Sequence, residues 1–210
     1  DTAWDGYEEI PAWIMQGYGT MAMEAGEQLK EYGCERPTHI FVQAGVGSLA
    51  GAVVGYFSNL YADNPPTFVV VEAEAAACLY KGAAAGDGAI RIVDGDMETI
   101  MAGLACGEPN TISWDILKNH VKVFIAAPDW VAATGMRMLG APIKGDAPVT
   151  SGESGAAPFG ALAAMMTMDE YKDLRSDIGL DENSKVLLFS TEGDTDPDRY
   201  KNIVWKGLDK

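Results

Sequence analysis

Residues 38–56 have the sequence THIFVQAGVGSLAGAVVGY, and this stretch determines how the rest of the chain is interpreted. Its apolar start, residues 39–42, is typical of a short buried strand, and the glycines and alanines after Ser48 predict a helix. In the turn between them, Gly45 and Gly47 allow backbone N–H groups to approach a ligand closely. A strand, a small-residue loop and a helix in this order form an anion-binding site, because the helix N-terminus contributes unpaired N–H groups and a positive dipole end.

The glycine spacing alone leaves other interpretations of this loop open. It can be an ordinary strand-to-helix turn with a crowded packing face. Gly45, Gly47 and Gly51 also spell GxGxxxG, a relative of the dinucleotide fingerprint, and Glu72 after the next predicted strand could then bind a ribose. That alternative predicts a Rossmann-type NAD(P)-binding oxidoreductase. Against it, the loop lies in mid-chain and nothing downstream resembles a hydride-transfer site.

The composition is that of a globular protein and restricts the partners it can have. Of the 210 residues, 48% are hydrophobic and 22% are charged, which suits one α/β domain or two small ones. The formal net charge is −16, so the chain should repel nucleic acid and anionic membranes, which are bound through Lys and Arg. No apolar run reaches membrane-spanning length. We therefore expect neither a nucleic-acid nor a membrane partner.

The cysteines and acidic turns predict a cytoplasmic protein without a metal. Cys34, Cys78 and Cys106 are widely spaced, form no CxxC pattern and do not cluster with either histidine. This argues against a disulfide framework and a zinc site and favours a reducing compartment. Asp194 and Asp196 lie in an acidic turn that lacks the full ligand set of a calcium loop.

Strand-like and helical patterns alternate along the whole chain. Continuous apolar runs predict strands at residues 39–42, 67–72, 121–126 and 185–190. Helical spacing predicts helices at residues 10–32, 113–119, 128–139 and 153–168, with Ser113 as the cap of the second. The alternation predicts an α/β protein with a mainly parallel twisted sheet and helices on both faces. In such sheets, ligands bind beyond the carboxyl ends of the strands.

Three segments adjoin predicted strands or helix starts and are candidates for one site: residues 44–48, 151–156 and 190–196. The first offers backbone donors to a phosphate. The second opens a helix with a carboxylate, Glu153, which could instead serve only as a cap. The third ends the last strand with the hydroxyls of Ser190 and Thr191, which could equally cap the following turn.

The order of these segments resembles that of fold-type II pyridoxal-phosphate enzymes, which include serine and threonine dehydratases, cysteine synthase and the tryptophan synthase β chain. Within this group, five segments resemble those of diaminopropionate ammonia-lyases: DTAWDGYEEIPAWIMQGY, QAGVGSLAG, GDMETIMAGLACGEPN, SGESGA and STEGDTD. The resemblance runs from Asp1 to about Trp205, and DTAW and TIMAGLACGEPN are more specific than the glycine loop. It implies pyridoxal 5′-phosphate as cofactor and a small amino acid, 2,3-diaminopropionate, as substrate. α,β-Elimination would yield pyruvate and two ammonia.

The resemblance also implies roles for individual residues. The cofactor phosphate would bind the glycine loop, and the ring nitrogen would meet the hydroxyl of Ser190, with Thr191 as second choice. The predicted cofactor-binding residues are Ala44, Gly45, Val46, Gly47, Ser48, Glu153, Ser190 and Thr191. Asp1 falls on a family aspartate near the reacting carbon. It would act as general base or acid, or would hold the 3-ammonium group of the substrate.

The main departure from the family is the absence of its Schiff-base lysine. No lysine here occupies the family's lysine motif, which lies in an upstream half together with a second catalytic carboxylate. The chain begins with Asp and continues directly into bulky residues that lack a partner. We therefore expect residues 1–210 to be the C-terminal, phosphate-binding part of a longer enzyme, inactive alone and homodimeric at full length. The alternative is a non-catalytic amino-acid-binding or regulatory domain that kept the fold and lost the lysine.

Overall fold

A four-stranded sheet forms the centre of the computed structural model, which describes residues 2–209. Its strands are β1 (His39–Gln43), β2 (Thr67–Ala73), β3 (Val121–Ala127) and β4 (Val186–Leu188). The spatial order is β3-β2-β1-β4, and each neighbouring pair is parallel. The predicted parallel sheet is confirmed.

Helices fill the connections between the strands. They are α1 (Glu9–Glu31), α2 (Ser48–Leu60), α3 (Cys78–Ala85), α4 (Thr111–His120), α5 (Asp129–Gly140), α6 (Glu153–Thr167), α7 (Lys172–Ile178) and α8 (Pro197–Val204). Short 3₁₀ turns occur at Glu74–Ala76, Ala102–Leu104 and Asp169–Tyr171. Within residues 2–209, no helix is both long enough and apolar enough to cross a membrane.

Alternate residues of the central strands face two separate apolar cores. Ile40 and Val42 belong to the core that contains α2 and α4, whereas Phe41 belongs to the core built by α5 and α6. The same alternation continues in β2, where Val70 joins the first core and Val71 the second. Both faces of the sheet are therefore covered, which explains why these strands are continuous apolar runs. The prediction of helices on both faces is confirmed.

Two element boundaries differ from the sequence prediction for tertiary reasons. Helix α4 begins at Thr111 and is capped by Asn110, not by Ser113, whose own N–H donates to the Asn110 side chain. Strand β4 ends at Leu188, two residues before the predicted end. The next carbonyl, that of Phe189, accepts from the Gln43 side chain instead of a strand partner.

Candidate functional site

A cavity of about 370 Å³ lies at the carboxyl end of β1. All five residues of the predicted loop, 44–48, line it, together with Gly103, Ser154 and Thr191. The cavity therefore lies where the loop after β1, the start of α6 and the segment after β4 converge. Parallel sheets bind ligands at this edge, and the volume is in the range of small-molecule sites.

The loop is shaped by two glycines with little space around them. Gly47 has a φ of +102° and occupies the N-cap position of α2, where no side chain caps the helix. A Cβ on Gly47 would lie 3.2 Å from Leu117 Cδ1, and one on Gly45 would lie 3.2 Å from the Gly103 carbonyl oxygen. Since the first N–H groups of a helix have no carbonyl partner within it, α2 presents backbone donors at this end.

Asn110 ties the loop to α4, and the sequence analysis did not identify it. Its N–H donates to the Val46 carbonyl at 2.8 Å, and its Nδ2 donates to Ser48 Oγ at 3.0 Å. Its Oδ1 accepts from the Ser113 N–H at 3.0 Å. The available signal was an Asn directly before a helix, where Asn is a favoured N-cap.

We expect the substitution Asn110→Ala to lower the free energy of unfolding by about 2–4 kcal/mol, because it removes a helix cap and a hydrogen bond to the buried Ser48 hydroxyl. Urea denaturation followed by circular dichroism measures this change. Asn119→Ala is the matched control, since the exposed Asn119 side chain bonds only within α4. An Asn110→Ala effect as small as that of the control would contradict a structural role for Asn110.

The two hydroxyls after β4 have different surroundings. Thr191 lines the cavity, and its Oγ1 accepts from Gln43 Nε2 at 2.9 Å. Ser190 does not line this cavity, and its Oγ shares a hydrogen bond of 2.8 Å with Ser151 Oγ. Gln43 was also missed by the sequence analysis. The feature of the sequence that could have identified Gln43 is a polar residue at the end of an apolar strand.

Glu153 and its neighbour Ser154 face different partners at the start of α6. The Glu153 carboxylate pairs with Arg199 Nε at 3.2 Å and does not line the cavity. Burial raises the pKa of Glu153 above its ordinary value. Ser154 does line the cavity, and its Oγ is buried without a hydrogen-bond partner among the described residues.

The predicted site residues therefore divide into three groups. The structure brings residues 44–48 and Thr191 together around one cavity. It places Glu153 and Ser190 outside the lining of that cavity, on other partners. Asp1 lies outside the described residues. The assignment of these residues to a cofactor stays a prediction.

Among the described residues, the cavity lining contains no Lys, Arg or His, and Glu192 is its one acidic side chain. Its carboxylate accepts from the Ser154 N–H at 2.8 Å, and its carbonyl accepts from the Gly152 N–H at 2.9 Å. An anion in this cavity would thus be held by backbone N–H groups and the helix dipole rather than by Lys or Arg.

Glu72, which the dinucleotide alternative would assign to a ribose, serves a different purpose. It is 1% exposed, and its two carboxylate oxygens accept from the N–H groups of Leu79 and Tyr80 at 2.8 and 2.7 Å. Burial raises the pKa of Glu72 to about 8, although these hydrogen bonds favour the charged form. The side chain is thus engaged at the start of α3, and nothing in its contacts favours nucleotide binding.

Residues 2–209 contain no group of three or more His, Cys, Asp or Glu side chains placed to hold a metal ion.

The fold and the cavity define an α/β protein with a small-molecule-sized cavity at the carboxyl end of a parallel sheet. The family model "Pyridoxal-phosphate dependent enzyme" matches residues 5–189, and the chain belongs to this family. Pyridoxal phosphate is the cofactor of that family, as the sequence resemblance implied.

Within the family, the chain is similar to diaminopropionate ammonia-lyases. It is 55% identical over 208 residues to that of Salmonella typhimurium strain LT2, covering 99% of this chain and 52% of the relative. It is 49% identical to that of Escherichia coli strain K12, covering 99% of this chain and 51% of the relative. The predicted resemblance is confirmed, and the chain spans about half the length of the curated relatives it matches.

A solved structure agrees with these relationships. The Escherichia coli diaminopropionate ammonia-lyase in complex with an aminoacrylate–pyridoxal phosphate azomethine reaction intermediate superposes with a TM-score of 0.90 at 46% identity. The match covers all of this chain and 52% of that one. The predicted fold-type II architecture is confirmed.

Proposed function

We propose that this chain is the cofactor-phosphate-binding part of a pyridoxal-phosphate-dependent carbon–nitrogen lyase. The full-length enzyme would convert 2,3-diaminopropionate to pyruvate and two ammonia. The observation that carries the proposal is the single cavity formed by residues 44–48, Ser154 and Thr191 in a chain 55% identical to a diaminopropionate ammonia-lyase. Neither the nucleotide-binding nor the non-catalytic alternative has a comparable observation in its favour.

Two features of the cavity fit the cofactor. A Cβ on Gly45 would lie 3.2 Å from the Gly103 oxygen and 3.4 Å from Cys106 Sγ, and both of these residues line the cavity, so the absence of a side chain at Gly45 lets a phosphate approach the backbone. Ser154 Oγ and Gln43 Oε1 are buried and have no hydrogen-bond partner in the described structure, although both residues line the cavity. Buried polar atoms are normally satisfied, so these two suit a polar ligand.

The chain's own residues would bind and orient the cofactor. Backbone N–H groups of residues 45–48 would hold the phosphate at the N-terminus of α2, whereas the Ala44 N–H already donates to the Val71 carbonyl at 2.9 Å. A hydroxyl after β4, from Ser190 or Thr191, would meet the ring nitrogen. Glu153 has a weaker case as a cofactor-binding residue, because Arg199 already engages its carboxylate. When bound, pyridoxal phosphate supplies the electron sink for loss of the α-proton.

Asp1 would take or return that α-proton, or would hold the 3-ammonium group of the substrate. Its place in the proposal rests on the resemblance, since it lies outside the described residues. A positioned carboxylate contributes typically 10²–10⁴-fold to such proton transfers.

The lysines support the proposal that covalent attachment of the cofactor needs a residue beyond this chain. All lysines between residues 2 and 209 are exposed, and none lines the cavity. We expect residues 1–210 alone to form no borohydride-trappable bond with pyridoxal phosphate at a defined lysine and to release no pyruvate.

The full-length enzyme is the positive control for this experiment. It should trap the cofactor on one lysine and release two ammonia for each pyruvate from 2,3-diaminopropionate. Specific trapping on the 210-residue chain would overturn the assignment of the attachment residue. A full-length protein that binds the cofactor but leaves diaminopropionate unchanged would overturn the proposed substrate.

We also propose that the full-length enzyme is a cytoplasmic homodimer. Large apolar side chains on and before α1 are exposed here, including Trp4, Ile10 and Trp13, and a subunit or interdomain interface would cover such a surface. Light scattering after size-exclusion chromatography tests this, and a monomeric mass would contradict it.

A further inference from the structure

We propose that the backbone N–H of Thr111 is a positioning group that holds the chain segment carrying Asp1 beside the loop of residues 44–48. This inference rests on the proposed function, in which Asp1 acts on the substrate and the loop binds the cofactor phosphate. It goes beyond that function by naming the contact that joins these two parts of the site.

Two consecutive N–H groups at the start of α4 donate to two different segments of the chain. The Asn110 N–H donates to the Val46 carbonyl at 2.8 Å, and Val46 lines the cavity. The Thr111 N–H donates to the Ala3 carbonyl at 3.4 Å. Ala3 is 1% exposed and follows Asp1 by two positions in the sequence. The step from Asn110 to Thr111 therefore joins the cavity wall to the segment that carries Asp1.

The contacts of Asn110 fix the direction of the next N–H group. The Asn110 side chain is fully buried, and its Nδ2 donates to Ser48 Oγ at 3.0 Å. Its Oδ1 accepts from the Ser113 N–H at 3.0 Å. Ser48 is the first residue of α2 and also lines the cavity. Since these bonds hold the first turn of α4 against the loop, the Thr111 N–H keeps a constant position relative to the cavity.

The Thr111 N–H is not needed by the helix that it starts. α4 begins at Thr111, and the first N–H groups of a helix have no carbonyl partner within it. Here that donor is used on a buried carbonyl of the segment before α1. The same turn of α4 also contacts α1 itself, because Ser113 Oγ donates to Met15 Sδ at 3.5 Å. The start of α4 thus holds the N-terminal segment at more than one point.

The substitution Thr111→Pro removes this donor while the helix can still form. Proline suits the first position of a helix, because no N–H is needed there and the φ of proline is already helical. The residue before a proline must be extended, and Asn110 already has a φ of −65° and a ψ of 123°. A ring carbon would take the place of the amide proton, so the Ala3 carbonyl would have to move away.

In the full-length enzyme, we expect Thr111→Pro to lower kcat/KM for 2,3-diaminopropionate roughly ten- to a hundredfold, as a small displacement of a group that acts on the substrate does. The affinity for pyridoxal phosphate should stay at the wild-type value, because the bonds from Asn110 to the loop are kept. Thr111→Val is the conservative variant, since it keeps the N–H and replaces a hydroxyl that is buried without a hydrogen-bond partner among the described residues. It should restore most of the activity.

A double-mutant cycle with Asp1→Asn shows whether the Thr111 N–H acts through Asp1. We expect the double variant to be no less active than Asp1→Asn alone, because the position of the segment no longer matters once the carboxylate is gone. A merely structural defect would instead lower kcat/KM by the same factor in both backgrounds.

Hydrogen exchange of the peptide that covers residues 2–7 measures the position of the segment without reference to activity. With pyridoxal phosphate bound, this peptide should exchange faster in full-length Thr111→Pro than in Thr111→Val. Equal exchange in the two variants would overturn the inference.

Wild-type kcat/KM in a folded Thr111→Pro variant, or additive effects in the cycle, would overturn the inference and leave the proposed function intact. If Thr111→Pro does not fold, as judged by circular dichroism, Ala3→Val replaces it in the cycle, since a larger side chain at this buried position displaces the same segment. A wild-type enzyme that releases no pyruvate from 2,3-diaminopropionate would instead overturn the proposed function, and hydrogen exchange would still decide whether the Thr111 N–H holds the segment.

Discussion

Replacing Gly47 with aspartate is expected to lower the affinity of the full-length enzyme for pyridoxal phosphate roughly a thousandfold, since like charges about 4 Å apart near a protein surface repel by about 4 kcal/mol. The substitution places a carboxylate at the N-cap of α2 beside the proposed phosphate, on a Cβ that faces Leu117 and Ser113. The cavity lining offers no Lys or Arg among the described residues to offset the added charge. Fluorescence titration with the cofactor measures the loss.

Two further variants separate charge from backbone strain in this experiment. Gly47→Ala introduces a side chain at a φ of +102° and within 3.2 Å of Leu117 Cδ1, so it should destabilise the fold by about 1–3 kcal/mol with a smaller effect on affinity. Gly33→Asp adds the same charge at a positive-φ glycine where a Cβ would meet no atom within 4 Å. It should leave affinity near the wild-type value. Unchanged affinity in Gly47→Asp would refute the assignment of the phosphate to this loop.

Replacing Gly160 with alanine is expected to destabilise the protein by more than about 4 kcal/mol, in the exceptional range for a single substitution. Gly160 lies on α6 where that helix crosses α5. A Cβ at this position would overlap the Val131 carbonyl oxygen and lie 3.2 Å from the Gly135 nitrogen. Because both neighbours are backbone atoms, no side-chain rotation can relieve the overlap, and the two helices would have to separate.

Urea denaturation of the chain measures this effect, with Gly17→Ala as the matched control. Gly17 lies within α1, and a Cβ at this position would meet no atom within 4 Å, so alanine there should stabilise the helix by up to about 1 kcal/mol. Similar unfolding free energies for Gly160→Ala and the wild type would show that α5 and α6 are less tightly packed than described. Loss of α6 would also remove Ser154 from the cavity.

The architecture could be predicted because its signals are local. The run of residues 67–72 is apolar and β-branched, and β2 is indeed buried on both faces. The alternation of such runs with helical patterns was enough to predict the parallel sheet. The cap of α4 was missed although Asn is a favoured N-cap, because helical periodicity placed the start of the helix at Ser113; the further contacts of Asn110 with the Val46 carbonyl and the Ser48 hydroxyl are tertiary.

The site could be predicted only in part, for a similar reason. On α6, successive residues point about 100° apart around the helix axis. The sequence analysis selected Glu153 because of its charge. In the structure, the Glu153 side chain points toward Arg199, and Ser154 lines the cavity instead. Which of two neighbouring side chains faces a ligand depends on how the helix is rotated about its axis when it packs. A single sequence does not specify that rotation.

The sequence by itself determined the sheet, the glycine loop after β1 and the family to which the chain belongs, because each depends on residue types close together in the chain. Only the tertiary structure decided which side chains meet at the end of that loop. Gln43 and Phe189 lie 146 positions apart in the chain, yet they share a hydrogen bond in the fold. β1 and β4 are parallel neighbours, so their carboxyl ends meet at one edge of the sheet and bring Gln43 to Thr191.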